Sequence, residues 1–192
     1  MCSSDLNLSY GNGKVFVVSH EIVGGRMQGG MCALPITPSP TGIMRGRFNP
    51  TDGQLYTCGL YSWAGDRTRP GGFYRIRATG KPMFVPIGLH ARKDGIAIAF
   101  TDRLDRKIAG DPRNYGARVW SLKRAVRYGS DHINEHPVRI AAARISDDGR
   151  TVSLEIPDIR PTWCMEITYA IRGASGEPVE GAIDNTIHRL GD

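Results

Sequence analysis

Hydrophobic positions along this chain come in short runs, broken at close intervals by Gly, Pro, Asn and Asp. Runs this short, rich in β-branched and aromatic residues, predict strands separated by turns. Residues 14–20 hold Val15-Phe16-Val17-Val18, a buried strand. Residues 43–48 and 54–60 read as two strands around Asn49-Pro50-Thr51-Asp52-Gly53. There Pro presets one φ and Asp-Gly accepts the positive φ that a hairpin needs. Residues 73–77 alternate and close this set. Residues 21–30 read as a Gly-rich connection, and Pro82 and Pro86 bracket a linker. Beyond it, strands are predicted at 95–100, 115–120, 137–145, 151–156 and 165–171, with one more at 182–190. One helical turn is expected within 104–114, before the Asp111-Pro112 break. The fold class is therefore all-β, and the regular spacing after Pro86 suggests a sandwich of the Ig type.

Composition agrees with many turns: the 192 residues include 24 Gly and 12 Pro. No apolar run is long enough to span a bilayer. The N-terminus lacks a basic region followed by an apolar core, so any secretion signal is expected upstream of it. The net charge is +6, but the basic residues are dispersed and no groove-reading motif accompanies them. That pattern predicts a solvated surface and no nucleic-acid partner.

Cys2-Ser3-Ser4-Asp5-Leu6 and Cys32-Ala33-Leu34-Pro35-Ile36 can both be encoded by one nucleotide string, TGTGCTCTTCCGATCT, read in two frames. The string resembles the end of a common sequencing adapter. Stretches 1–6 and 31–36 are therefore expected to be partly artefactual. Residues 1–36 are set apart as a suspect segment holding one strand, and Cys2 and Cys32 carry no functional argument.

Two stretches carry a resemblance. Phe48-Asn-Pro-Thr-Asp-Gly-Gln-Leu-Tyr56 resembles the strand–turn–strand of a propeller blade in quinoprotein-type sugar dehydrogenases. Continued through Gly71-Gly-Phe-Tyr-Arg-Ile-Arg-Ala-Thr-Gly-Lys-Pro82, it looks like the propeller end of large secreted planctomycete-type proteins, which often also carry a c-type haem domain. Asp94-Gly-Ile-Ala-Ile-Ala-Phe-Thr-Asp-Arg-Leu-Asp105, with Asn114-Tyr115 after it, is similar to bacterial Ig-like domains of surface proteins. Asp148-Gly149-Arg150-Thr151-Val152 and Pro161-Thr162-Trp163-Cys164-Met165-Glu166-Ile167 fit the later hairpin of that pattern. The resemblance implies propeller-like strands over 37–82 and an Ig-like β-sandwich over 83–192. It further implies a C-terminal fragment of a periplasmic or extracellular protein whose partner is the rest of its propeller. Such a parent could use pyrroloquinoline quinone (PQQ) or haem c. This chain supplies two blades at most and has no Cys-x-x-Cys-His, so neither cofactor is carried onto any residue here.

Candidate chemistry is sparse. Arg45 and Arg47 share one strand face and, with Trp63, could line a propeller mouth and bind an anionic or sugar ligand; ordinary exposed ion pairs with Asp52 or Asp66 are the plainer reading. His132-Ile133-Asn134-Glu135-His136 matches the inverted zinc-protease motif H-x-x-E-H. Pro137 follows at once, which argues for a polar loop and against a metal-holding helix. Trp120 and Trp163 are expected to anchor the sandwich core, and Cys58 and Cys164 to be buried free thiols. Gly11-Asn12-Gly13-Lys14 precedes a strand and lacks the flanking residues of a phosphate loop. The sequence thus suggests a non-catalytic structural or binding module. A tail of a sugar oxidoreductase with its active site elsewhere, and a carbohydrate-binding module, stand as alternatives.

Overall fold

A computed structural model describes residues 3–61, 65–126 and 129–192; Cys2 and the candidate ligand residue Trp63 lie outside the described residues. In chain order the strands are β1 (Ser3–Leu8), β2 (Val15–Val23), β3 (Arg26–Ala33), β4 (Gly42–Phe48), β5 (Leu55–Leu60) and β6 (Gly71–Ile76). There follow β7 (Pro86–Arg92), β8 (Gly95–Phe100), β9 (Tyr115–Lys123) and β10 (Asp131–Pro137). The last four are β11 (Ala142–Ile145), β12 (Thr151–Glu155), β13 (Thr162–Arg172) and β14 (Pro178–Ile187). A single helical turn, α1 (Arg106–Ala109), and a 3-10 turn at Pro112–Asn114 precede β9. The chain is all-β, with several antiparallel sheets, and no described helix is long and apolar enough to cross a membrane.

The chain divides into two compact units, Met1–Asp5 with Val18–Cys32 and Phe84–Asp192, and Leu6–Val17 with Ala33–Met83. In the larger unit one sheet has the order β11-β12-β8-β7. The other includes the order β3-β14-β13-β9-β10. Period-two burial shows which faces meet. Met165, Ile167, Tyr169 and Ile171 of β13 are buried, while Cys164, Glu166, Thr168 and Ala170 between them are not. From the opposing sheet come Ile96, Ile98 and Phe100 of β8 with Val152 and Leu154 of β12. The Phe100 and Tyr169 rings meet edge to face at 5.6 Å, joining the two layers.

The stretch from Asp94 to Asp105 shows why its residue types are needed. Gly95 has φ +156°. The Thr101 hydroxyl accepts from the Val85 amide (3.0 Å) and the Asp102 carboxylate from that of Phe84 (2.9 Å). Asp105 caps α1, accepting from the Lys107 and Ile108 amides, both at 2.9 Å.

Several expectations change: residues 1–36, expected to hold one strand, hold β1, β2 and β3, and the strand expected at 137–145 begins only at Ala142. Residues 26–33 form strand β3, where a Gly-rich connection was expected. A Cβ on Gly29 would fall 2.0 Å from the Ser19 carbonyl oxygen, and one on Gly30 2.6 Å from that of Asp184, so these glycines permit close approach inside a strand. Residues 132–136 lie in strand β10, and not in a loop. β14 covers Pro178–Ile187, four residues earlier at its start than the predicted 182–190.

A buried polar network fixes β3. The Gln28 amide group donates to Glu21 Oε1 and to the Arg189 carbonyl (both 2.8 Å), and accepts from the His188 and Arg189 amides (both 2.9 Å). Glu21 in turn accepts from the Ala91 amide and contacts His90 Nδ1, each at 3.0 Å. Gln28→Ala removes four bonds from a side chain only 5% exposed. It is expected to cost about 2 kcal/mol, read as a lower urea midpoint at unchanged slope. An unshifted midpoint would show that residues 18–32 contribute nothing to the folded unit.

The smaller unit is built on a three-stranded meander, β4-β5-β6. Val15, Val17, Ile43 and Leu55 are its buried apolar residues. The expected turn is present: Asn49 N donates to Gln54 O (2.9 Å), Gly53 N to Asn49 O (2.8 Å), and Gly53 has φ +66°.

Candidate functional site

A concavity of the larger unit, about 610 Å³, opens on the outer face of the sheet that contains β13. Met27, Met31, Trp120, Leu122, Trp163 and Asp184 are among its lining residues. Ligand sites of this kind combine an apolar floor with a few placed polar groups.

Trp163 is the dominant feature. Its side chain is 75% exposed, with His188 edge to face at 5.2 Å. Strand parity would send it inward with Met165 and Ile167. The pairing of β13 with β14 slips between Thr162 and Met165, however, and this bulge re-aims Trp163 outward. The Thr186 hydroxyl donates to the Trp163 carbonyl at 2.8 Å and holds the bulge.

Trp120 pairs in register with Cys164 on the neighbouring strand. Its ring stacks on His132 at 4.6 Å and 18°, with the Arg118 guanidinium 5.5 Å from the ring centre. Arg118 bridges Glu135 (2.6 Å) and Glu166 (2.8 Å), and Glu135 also holds His132 Nδ1 at 3.0 Å. The hydrogen bond from His132, then that from Arg118, lowers the Glu135 carboxyl below its ordinary range. These groups are committed to one another and clamp the indole.

Both tryptophans therefore lie outside the core, contrary to the expectation for them. Parity alone places Trp120 outward, opposite buried Tyr115 and Ala117. Trp163 was hidden by the bulge, which leaves no mark in the residue pattern.

Asp184 supplies the carboxylate of the cleft. Burial, then the neighbouring Glu166 carboxylate, raises the Asp184 pKa, with Arg118 opposing. The buried Nδ2 of Asn185 has no hydrogen-bond partner among the described residues. A raised carboxyl pKa means that the ionised form is disfavoured by folding. Its stability contribution is full below the unfolded pKa and is lost as pH rises through the folded one. Asp184→Asn should therefore melt about 1 °C or more higher than wild type at neutral pH, and equal to it near pH 3. A lower melting temperature for the variant at pH 7 would contradict this placement.

The residues singled out in the sequence fall elsewhere. Arg45 and Arg47 are exposed on β4 of the smaller unit, and their Nη1 atoms donate to the carbonyls of Met44 (2.9 Å) and Gly46 (3.3 Å). Neither pairs with Asp52 or Asp66. Asp66 instead takes Arg67 at 2.7 Å, and Asp52 accepts from the Tyr56 hydroxyl at 2.8 Å. His136 Nδ1 lies 2.8 Å from the Asn134 carbonyl, and no group of three or more metal-ligating side chains occurs among the described residues. Cys58 is exposed and Cys164 half-buried, so neither is the fully buried thiol expected; both are free. Cys32 is the buried one, 3.5 Å from the Pro86 carbonyl, its thiol pushed up to about 11 by burial.

Comparisons with family models, with curated proteins and with solved structures find no match for this chain.

Proposed function

We propose that this chain is a non-catalytic binding module of a secreted protein, and that its larger unit is an Ig-like sandwich presenting a carbohydrate cleft. Support for the Ig-like reading is the strand order. Counted from β7 as the first strand, one sheet reads first-second-sixth-fifth and the other eighth-seventh-third-fourth. That is the A-B-E-D and G-F-C-C′ arrangement of Ig sandwiches, with β3 added at the eighth strand. The meander β4–β6 supports the propeller-like reading of residues 37–82 in its up-and-down connectivity alone.

The observation that carries the functional reading is Trp163, exposed in a cleft that Asp184 and Asn185 also line. A pyranose ring offers an apolar face of C–H groups to stack on an indole, and a rim of hydroxyls. The Asp184 carboxylate accepts from such hydroxyls. The acids beside the cleft, Glu135 and Glu166, are tied to Arg118, which suits holding a ligand better than transferring a proton.

Isothermal titration with a panel of neutral hexasaccharides (cellohexaose, xylohexaose, mannohexaose and chitohexaose) tests the reading. Saturable binding of at least one, lost in Trp163→Ala and kept in the Arg45→Ala/Arg47→Ala double variant, is expected. Heat from none of the four overturns the carbohydrate assignment. Saturable uptake of PQQ with calcium, accompanied by sugar oxidation, would overturn the non-catalytic one.

A further inference from the structure

The arginines that look scattered in the sequence are gathered by the meander. Pairing registers set two cross-strand rows on one face of β4–β6: Arg47–Tyr56–Arg75 and Arg45–Cys58–Phe73. The opposite parity, Leu55 and Thr57, is buried, so this face is the outer one. Arg45, Arg47 and Arg75 are all exposed, and none forms an ion pair with a carboxylate among the described residues. Arg45 and Arg47 spend a single N–H each on an adjacent carbonyl. Asp52 is the acid of this face; it is engaged by the Tyr56 hydroxyl and the Gln54 amide, with Arg75 a weaker influence. Between the guanidiniums lies an aromatic platform. Phe73 is 71% exposed and stacks on Tyr56 with centroids 5.8 Å apart and planes at 28°.

We propose that this face binds single-stranded nucleic acid, with Phe73 and Tyr56 stacking on bases and Arg45, Arg47 and Arg75 neutralising phosphates. Two features decide the class of partner. Three uncommitted cations on one small face ask for a polyanion. A Phe side chain has no hydrogen-bonding group, and it gives its face to a base of any identity, which a sheet surface accepts readily. The face belongs to the smaller unit and is independent of the carbohydrate cleft, so either proposal can fail without the other.

The test is fluorescence anisotropy of the full chain with a labelled twenty-nucleotide oligothymidylate, and with the same backbone lacking its bases. Micromolar binding is expected at low salt, with log affinity falling against log salt at a slope of about −2 for three phosphates. Phe73→Ala should weaken oligothymidylate roughly tenfold and leave the abasic strand unchanged. Arg45→Ala/Arg47→Ala should reduce the slope by about 1.4. All three side chains are exposed, and circular dichroism verifies that each variant is folded. Trp163→Ala should bind as wild type. No oligothymidylate binding, equal affinity for the abasic strand, or binding of a sulfated polysaccharide alone would each overturn the proposal.

Discussion

Gly95→Ala should cost the larger unit about 3 kcal/mol or more, enough to leave much of it unfolded at modest urea concentrations. Gly95 has φ +156°, outside the range of L side chains. A Cβ there would sit 1.8 Å from the Leu154 carbonyl oxygen and 3.1 Å from the Ile156 nitrogen. Both obstacles are backbone, and no rotamer change relieves them. The surrounding bonds are those that set β8 between its neighbours: Gly95 pairs with Glu155 on one side and Arg92 on the other, and the Ile156 amide donates to Asp94 at 2.9 Å. Gly53→Ala is the control. Gly53 also has a positive φ, +66°, but nothing lies within 4 Å of its Cβ position. It should lose only about 1 kcal/mol. A Gly95→Ala urea midpoint no lower than that of Gly53→Ala would show that the β7–β8 turn is not as described.

Trp163→Ala is expected to weaken hexasaccharide binding at least thirtyfold while changing stability by less than about 0.5 kcal/mol. The separation of the two effects follows from position. An indole 75% exposed contributes little burial to the folded unit. The same indole presents the largest flat apolar surface in the cleft, and stacking on it is made only when ligand is present. Trp120→Ala should behave differently, because the Trp120 ring carries His132 and Arg118 against its faces. It should lower both affinity and melting temperature. A Trp163→Ala protein that binds as wild type would place the ligand elsewhere.

The fold class was legible because several strands of the larger unit carry their own signal. Alternation is regular in 165–171, and Asp94-Gly95 and Asp147-Asp148-Gly149 punctuate where turns occur. Strand β3 was not legible: Gly29 and Gly30 read as a connection, since their role is to let Ser19 and Asp184 approach, and that partner set is known only in the fold. Strand β10 was missed for a similar reason. Its residues are exposed throughout and mostly polar, so no periodicity marks it, and pairing with β9 alone makes it a strand. The cleft was not read from the sequence, where both tryptophans were expected in the core. Trp120 follows strand parity, whereas the bulge beneath Trp163 is set by cross-strand register and cannot be counted along the chain. The arginines of β4 were noticed as a pair; Tyr56, Phe73 and Arg75 join them only through the registers of the meander.

The most direct measurement is amide chemical-shift mapping of the full 192-residue chain during titration with the hexasaccharide that binds best. The account predicts shifts concentrated on Met27, Met31, Trp163, Asp184 and Thr186, together with the Trp120 and Trp163 indole N–H signals, while β4–β6 stays still. Shifts confined to β4–β6, or spread over the buried face of β13 with the tryptophan signals unmoved, would contradict it.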